Sequence, residues 1–112
     1  MKQDQRSLQI WSLLVCAARE RRIHTYGEIA EILGFAGAGT MANMLGSIMW
    51  FCRDHGLPPL TVLVVNGTTG RPGDGILLDD DAEAARERVF GFDWFSIEPP
   101  ETEDFRAARE NH

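Results

Sequence analysis

The sequence predicts an α+β fold, mainly helical, in which a helix-turn-helix is followed by a short β-hairpin. Three observations predict it. Apolar residues recur at helical spacing in two long stretches, a helix-start signature lies between them, and a β-branched run leads into a glycine-rich loop.

In the first stretch, Leu8, Trp11, Leu14, Val15 and Ala18 mark one face, and Ser7 is a suitable cap, so residues 7–20 read as an amphipathic helix. It ends in the charged run Arg19-Glu20-Arg21-Arg22. Thr25-Tyr26-Gly27-Glu28 then reads as a capping box: the Thr25 hydroxyl accepts from the N–H of residue 28 while Glu28 accepts from the N–H of residue 25. The short helix it opens turns Ile29, Ile32 and Leu33 inward and stops at Gly34. Residues 34–39 form a small-residue turn, and Thr40 is a good N-cap for a third helix. Met41, Met44, Leu45, Ile48 and Cys52 give that helix a buried stripe reaching about Asp54, closed by Gly56 and Pro58-Pro59. Two helices joined by a tight glycine-containing turn are the helix-turn-helix pattern.

Leu60 to Val65 is nearly continuous in hydrophobicity, as in a strand covered on both faces. Asn66 to Gly75 is turn-rich, and Ile76-Leu77-Leu78 supplies a returning strand, completing a hairpin or wing. Asp79, Asp80 and Asp81 favour a helix start, and Ala82 through Phe90 continues as helix. Phe92, Trp94, Phe95 and Ile97 then lay the chain back on the core. Residues 1–98 are expected to form a single domain; residues 99–112, acidic and poor in apolar side chains, are a frayed tail or one marginal helix.

At 112 residues and 44% hydrophobic, the chain has material for one core. No apolar run approaches the ~20 residues needed to span a bilayer, and the polar opening does not read as a signal peptide, so a soluble, unexported, cytoplasmic protein is expected. Cys16 and Cys52 both sit in apolar helical patterns and read as reduced core residues. His24, His55 and His112 are scattered, which gives no metal site, and the acids at 79–83 lack the spacing of a calcium loop. The loop Asn66–Gly75 fits neither the Walker pattern nor GxGxxG, so no cofactor is implied. No Ser/His/Asp or Cys/His grouping stands out, and the chain is expected not to be an enzyme.

The formal net charge of −6 opposes nucleic-acid binding, because phosphate contacts supply most nonspecific affinity for DNA. The charge is unevenly placed. Residues 1–58 hold six Lys/Arg against five acids, net +1, whereas residues 59–112 hold five Arg against twelve acids, net −7. A local basic cluster at Arg19, Arg21 and Arg22 leaves room for weak, local binding.

Over roughly residues 7–78 the order of elements, with Thr25-Tyr26-Gly27-Glu28-Ile29-Ala30 and Leu33-Gly34 as the most specific part, resembles the winged-helix-like DNA-binding domain of alkylguanine-DNA alkyltransferases and alkyltransferase-like proteins. The resemblance implies that the third helix enters the minor groove of double-stranded DNA and that Tyr26 stands where the family's tyrosine turns the target nucleotide's phosphate. Base extrusion is needed there because the reactive atom is buried in the duplex. The family's RAVG stretch corresponds to Asn43-Met44-Leu45-Gly46, so its intercalating arginine is Asn43, too short to fill the space of a flipped base. Its PCHRV segment corresponds to Pro59-Leu60-Thr61-Val62-Leu63, or to the register shifted by one, and neither supplies Cys or His. Alkyl transfer needs a thiolate, so the resemblance implies binding without transfer.

The residues expected to touch DNA are therefore Tyr26, Asn43 and Ser47, Arg21 and Arg22 of the basic cluster, and Arg71 in the loop. Asn43 and Ser47 are placed on the outer face of the third helix, with Trp50. Trp50 either marks a surface for a protein partner or is covered by the C-terminal segment. The alternative to DNA binding is a protein-interaction module on the same scaffold.

Overall fold

The computed structural model describes residues 1–112 apart from Gly37, Ala38, Thr40 and Asp74. The expected N-cap role of Thr40 and the middle of the 34–39 turn lie outside the described residues. The fold is mainly helical with a small sheet: α1 (Gln3–Arg19), β1 (His24–Thr25), α2 (Tyr26–Leu33), α3 (Met41–Asp54), β2 (Val64–Val65), α4 (Ala82–Gly91) and α5 (Thr102–Glu110). Two 3-10 turns, Leu60–Leu63 and Trp94–Ser96, complete it.

Helix α1 is the central element, packed by α3, α5 and both 3-10 turns. Its Trp11 ring lies edge-on to Phe51 at 5.4 Å and to Trp94 at 5.6 Å, with Phe105 tilted at 6.1 Å. The helix begins four residues earlier than expected, because Ser7 does not cap it. Ser7 is fully buried, and its Oγ donates to the Met44 carbonyl at 3.2 Å, fastening α1 to α3. Lys2 takes the cap position instead, its backbone N–H donating to the Gln5 side chain.

Helix α2 starts and stops where its residues dictate. The Glu28 N–H donates to Thr25 Oγ1 at 3.1 Å, and Gly34 ends the helix at φ +73°, a left-handed conformation that glycine adopts without steric cost. Ile29 and Ala30 are buried and Leu33 half-buried, which leaves Ile32 on the far side, 55% exposed rather than inward. In α3 the expected stripe is buried at Met41, Leu45, Ile48 and Cys52, and the buried face widens to Ser47, Met49 and Phe51 because α1 and α5 pack on it from two directions. Cys16, expected inside, is exposed on α1.

The hairpin is replaced by a parallel pairing. β2 lies beside β1 with His24 opposite Val64 and Thr25 opposite Val65. The crossover that parallel strands require is supplied by α2 and α3. Leu60–Leu63 is buried as expected but coils as a 3-10 turn, and Ile76–Leu78 forms no strand. The returning chain makes one antiparallel bridge, Val65 to Pro72. Proline has no N–H to extend a ladder, so pairing ends there.

The last helix is firmly built. Of the two expectations for residues 99–112, the helix is the one formed: α5 spans Thr102–Glu110, with Phe105 fully buried and Ala108 nearly so, against α1 and α3. Two apolar residues three apart suffice because the Asp104 carboxylate caps the Glu101 N–H at 2.7 Å and Arg109 pairs with Asp4 of α1 at 3.1 Å. Among the described residues, no helix is long and apolar enough to cross a membrane.

Candidate nucleic-acid interface

Tyr26 is the first residue of α2, set by the Thr25 cap and by the pairing of β1 with β2. Its hydroxyl accepts the Gly73 N–H at 3.2 Å, so the ring reaches into the loop between Asn66 and Gly75. A side chain at Gly73 would collide with that hydroxyl, so one of the two would have to shift. The capping box expected at Thr25–Glu28 is half formed. The Glu28 carboxylate turns instead to His24, 3.1 Å from Nδ1, and that hydrogen bond holds its carboxyl below the ordinary value.

The loop is organised by its own polar side chains. Asn66 Oδ1 accepts from the N–H groups of Thr68 and Thr69 at 2.8 and 3.2 Å, and Thr69 Oγ1 accepts from the Arg71 N–H at 3.2 Å. Beyond Gly73, the Leu77 N–H points at Met49 Sδ of α3 at 3.4 Å. The loop is thus fastened at Gly73 to α2, and the segment after it at Leu77 to α3, with Arg71 exposed two residues before the first anchor.

The other expected contacts divide. Asn43 is exposed on α3. Ser47 is buried, contrary to its expected outer position: its Oγ donates to the Asn43 carbonyl one turn back at 3.3 Å, on the side of α3 that faces the core. Arg21, in a left-handed conformation at φ +57°, pairs with Glu87 of α4 at 2.7 Å and lies over the Phe90 ring at 4.9 Å. Arg22 pairs with Glu20 at 3.3 Å. Exposed pairs of this kind contribute only about 0–1 kcal/mol to stability, but each places a carboxylate beside a cation expected to meet phosphate.

Trp50 is covered. Its indole stacks on the His112 ring at 3.9 Å and 6° between planes, and His112 Nε2 lies 2.9 Å from Asp54 Oδ1. The residues set against PCHRV by resemblance, Leu60 to Leu63, are wholly buried, and Thr61 Oγ1 has no hydrogen-bond partner among the described residues. Cys52 lies beside that segment, its thiol in hydrogen-bonding contact with the Leu60 backbone, whereas Cys16 is on α1. Burial pushes the Cys52 thiol up to about 12, while Cys16 is exposed on α1. Among the described residues no cluster of three or more His, Cys, Asp or Glu is arranged to hold a metal.

Residue spacing did not single out Gly73 as the partner of Tyr26, 47 positions away, whereas His24 and Glu28 are four apart and the pair was legible as a local alternative to the capping box. Phe95, expected on the core, is 65% exposed. Successive residues of a 3-10 turn point about a third of a turn apart, so where Trp94 is buried its neighbour faces out. No protein-family model, curated protein or solved structure matches the chain.

Proposed function

We propose that this protein is a nonenzymatic, winged-helix-like DNA-binding module of the alkyltransferase-like kind, engaging duplex DNA through Tyr26, Asn43 and Arg71. The observation that carries the reading is the fastening of the Asn66–Gly75 loop to Tyr26 and of the following segment to α3. It joins the opening of α2, the loop and α3 into one supported surface. Tyr26 accepts from Gly73, and its own hydroxyl proton remains available for a phosphate oxygen. Arg71 supplies a cation with no carboxylate partner among the described residues. Binding without transfer is supported by the burial of Leu60–Leu63 and of the Cys52 thiol, whose burial disfavours the thiolate.

A protein-interaction module is the second reading, favoured by the pairing of Arg21 and Arg22 with Glu87 and Glu20. Fluorescence anisotropy with plain and alkylguanine-containing duplexes across a salt series separates the two. The DNA reading expects salt-dependent binding that weakens in Tyr26→Ala and whose salt slope falls by about one for Arg71→Ala. Absence of binding at low salt overturns it.

A further inference from the structure

Asn43, Gly46, Trp50 and Arg53 follow one another at helical spacing and form the strip of α3 that the core leaves outward, with Asn43 and Arg53 exposed and Gly46 and Trp50 half-buried. Trp50 is the apolar member of that strip, and a single side chain lies over it. His112 stacks on the indole at 3.9 Å and 6° between planes, and its Nε2 sits 2.9 Å from Asp54 Oδ1, one helical turn beyond Trp50. The backbone that carries His112 is held. The Asn111 N–H donates to the Ala107 carbonyl at 3.0 Å, and α5 is anchored by the buried Phe105 and by the pair of Arg109 with Asp4. The imidazole is 29% exposed and the Asp54 side chain 35%, so both exchange protons freely with water. A cover made of one side chain opens by rotation about its own torsions, and no helix has to move.

We infer that His112 is a pH-gated cover for the outer strip of α3, closed over Trp50 when the imidazole is protonated and released when it is neutral. Two interactions change together on protonation. The contact with Asp54 becomes an ion pair with charge on both donor and acceptor. At the same time a cation comes to lie flat on an indole, the aromatic face that attracts cations most strongly. The neutral ring keeps only the stack and, in one of its two tautomers, a hydrogen bond from an uncharged donor. A histidine that gains partners in its charged form favours the closed state below the ordinary histidine range, and that advantage is lost as pH rises through it. At the acid end Asp54 loses its own charge, so the cover is firmest between the carboxylate and histidine ranges, roughly pH 4 to 6.5. Neighbouring charges do not take the place of either partner. Among the described residues, Arg109 is committed to Asp4, Arg53 leans toward Asp79 at 3.8 Å, and Glu110 makes no ion pair. His55, next to Asp54, turns its Nδ1 to the Phe51 carbonyl at 2.9 Å.

The gate does not depend on what α3 meets and is tested on the protein alone, by acrylamide quenching of tryptophan emission at about pH 5.5 and about pH 8. Trp11 and Trp94 are 4% and 5% exposed, so the accessible emission belongs to Trp50, and Trp50→Phe supplies the baseline to subtract. In the wild type, quenching of Trp50 is expected to rise with pH, the uncovered population growing by up to about fivefold, the most that a partly solvated ion pair supplies. His112→Ala is expected to be quenched strongly and equally at both pH values. Asp54→Asn keeps a hydrogen-bonding side chain without the charge and is expected to shrink the response. Both positions are exposed, and circular dichroism checks that the variants are folded. His24 and His55 titrate in the same range, so a pH response that survives in His112→Ala belongs to them and overturns the inference. Equal quenching of the wild type at the two pH values, or a response of wild-type size in Asp54→Asn, overturns it as well.

Discussion

Trp50 and Phe95 are two aromatic side chains on outer surfaces of the molecule, each held by a hydrogen-bonded support and each next to core residues, yet one is covered and the other bare. The difference comes from what passes over them. Helix α5 crosses α3 and ends so that His112 lies flat on the Trp50 indole, tied to Asp54 at the end of α3. Over the Trp94–Ser96 turn no element of the described chain passes, and Phe95 keeps its face to solvent beside an empty groove. An aromatic on a helix face does not by itself mark a partner surface. The path of more distant segments decides that: it lays His112 on one face of Trp50 and leaves Phe95 open.

The comparison breaks most severely when the cover loses its anchor. Phe105 seats α5 against Trp11 and Phe51, so Phe105→Ala is expected to cost about 3–5 kcal/mol and to uncover Trp50. Denaturant titration with acrylamide quenching measures both effects. A loss below about 1 kcal/mol would show that α5 is not part of the core.

A substitution away from both aromatics sharpens the contrast. Gly73→Ala forces the loop off the Tyr26 hydroxyl and is expected to destabilise by about 1–3 kcal/mol without changing Trp50 quenching. Tyr26→Phe removes the colliding oxygen, so a double-mutant cycle should show positive coupling, the alanine costing less in the Phe background. Additive losses would mean that the contact between Tyr26 and Gly73 does not position the loop.

The smallest effect isolates the cover itself. His112→Ala should cost less than about 1 kcal/mol, because its pair with Asp54 is partly solvated, and should still raise quenching of Trp50. Quenching unchanged from the wild type would show that something other than His112 shields the indole.

Much of the helical framework was legible in the sequence because it is locally written. Thr25 and Gly34 bracket α2 by their own hydrogen-bonding and conformational chemistry, and the apolar spacing of α1 and α3 survives intact. Where local reading failed, a distant partner had intervened. Ser7 looks like a cap until Met44 offers its carbonyl, and Ser47 looks exposed until α3 is packed from two sides. The run from Leu60 to Val65 has strand composition, but its ladder partner is His24–Thr25 rather than the chain that follows, and Pro72 prevents the alternative from extending. Of the candidate interface, Tyr26, Asn43 and Arg71 are at or near the surface as expected, while Arg21 and Arg22 have acidic neighbours that periodicity could not reveal.

The pairing of Arg109 with Asp4 joins residues 105 positions apart, and beside it Phe105 completes the aromatic cluster around Trp11. α3 and the 3-10 turns cover much of the buried face of α1, but the side of Trp11 that meets Phe105 is closed only by α5. Closing so long a loop carries an entropic cost that local helix formation does not, so the α1–α5 contact is among the slowest to be gained from local structure alone. Until it forms, that side of Trp11 is apolar surface that a nascent chain would present to a chaperone.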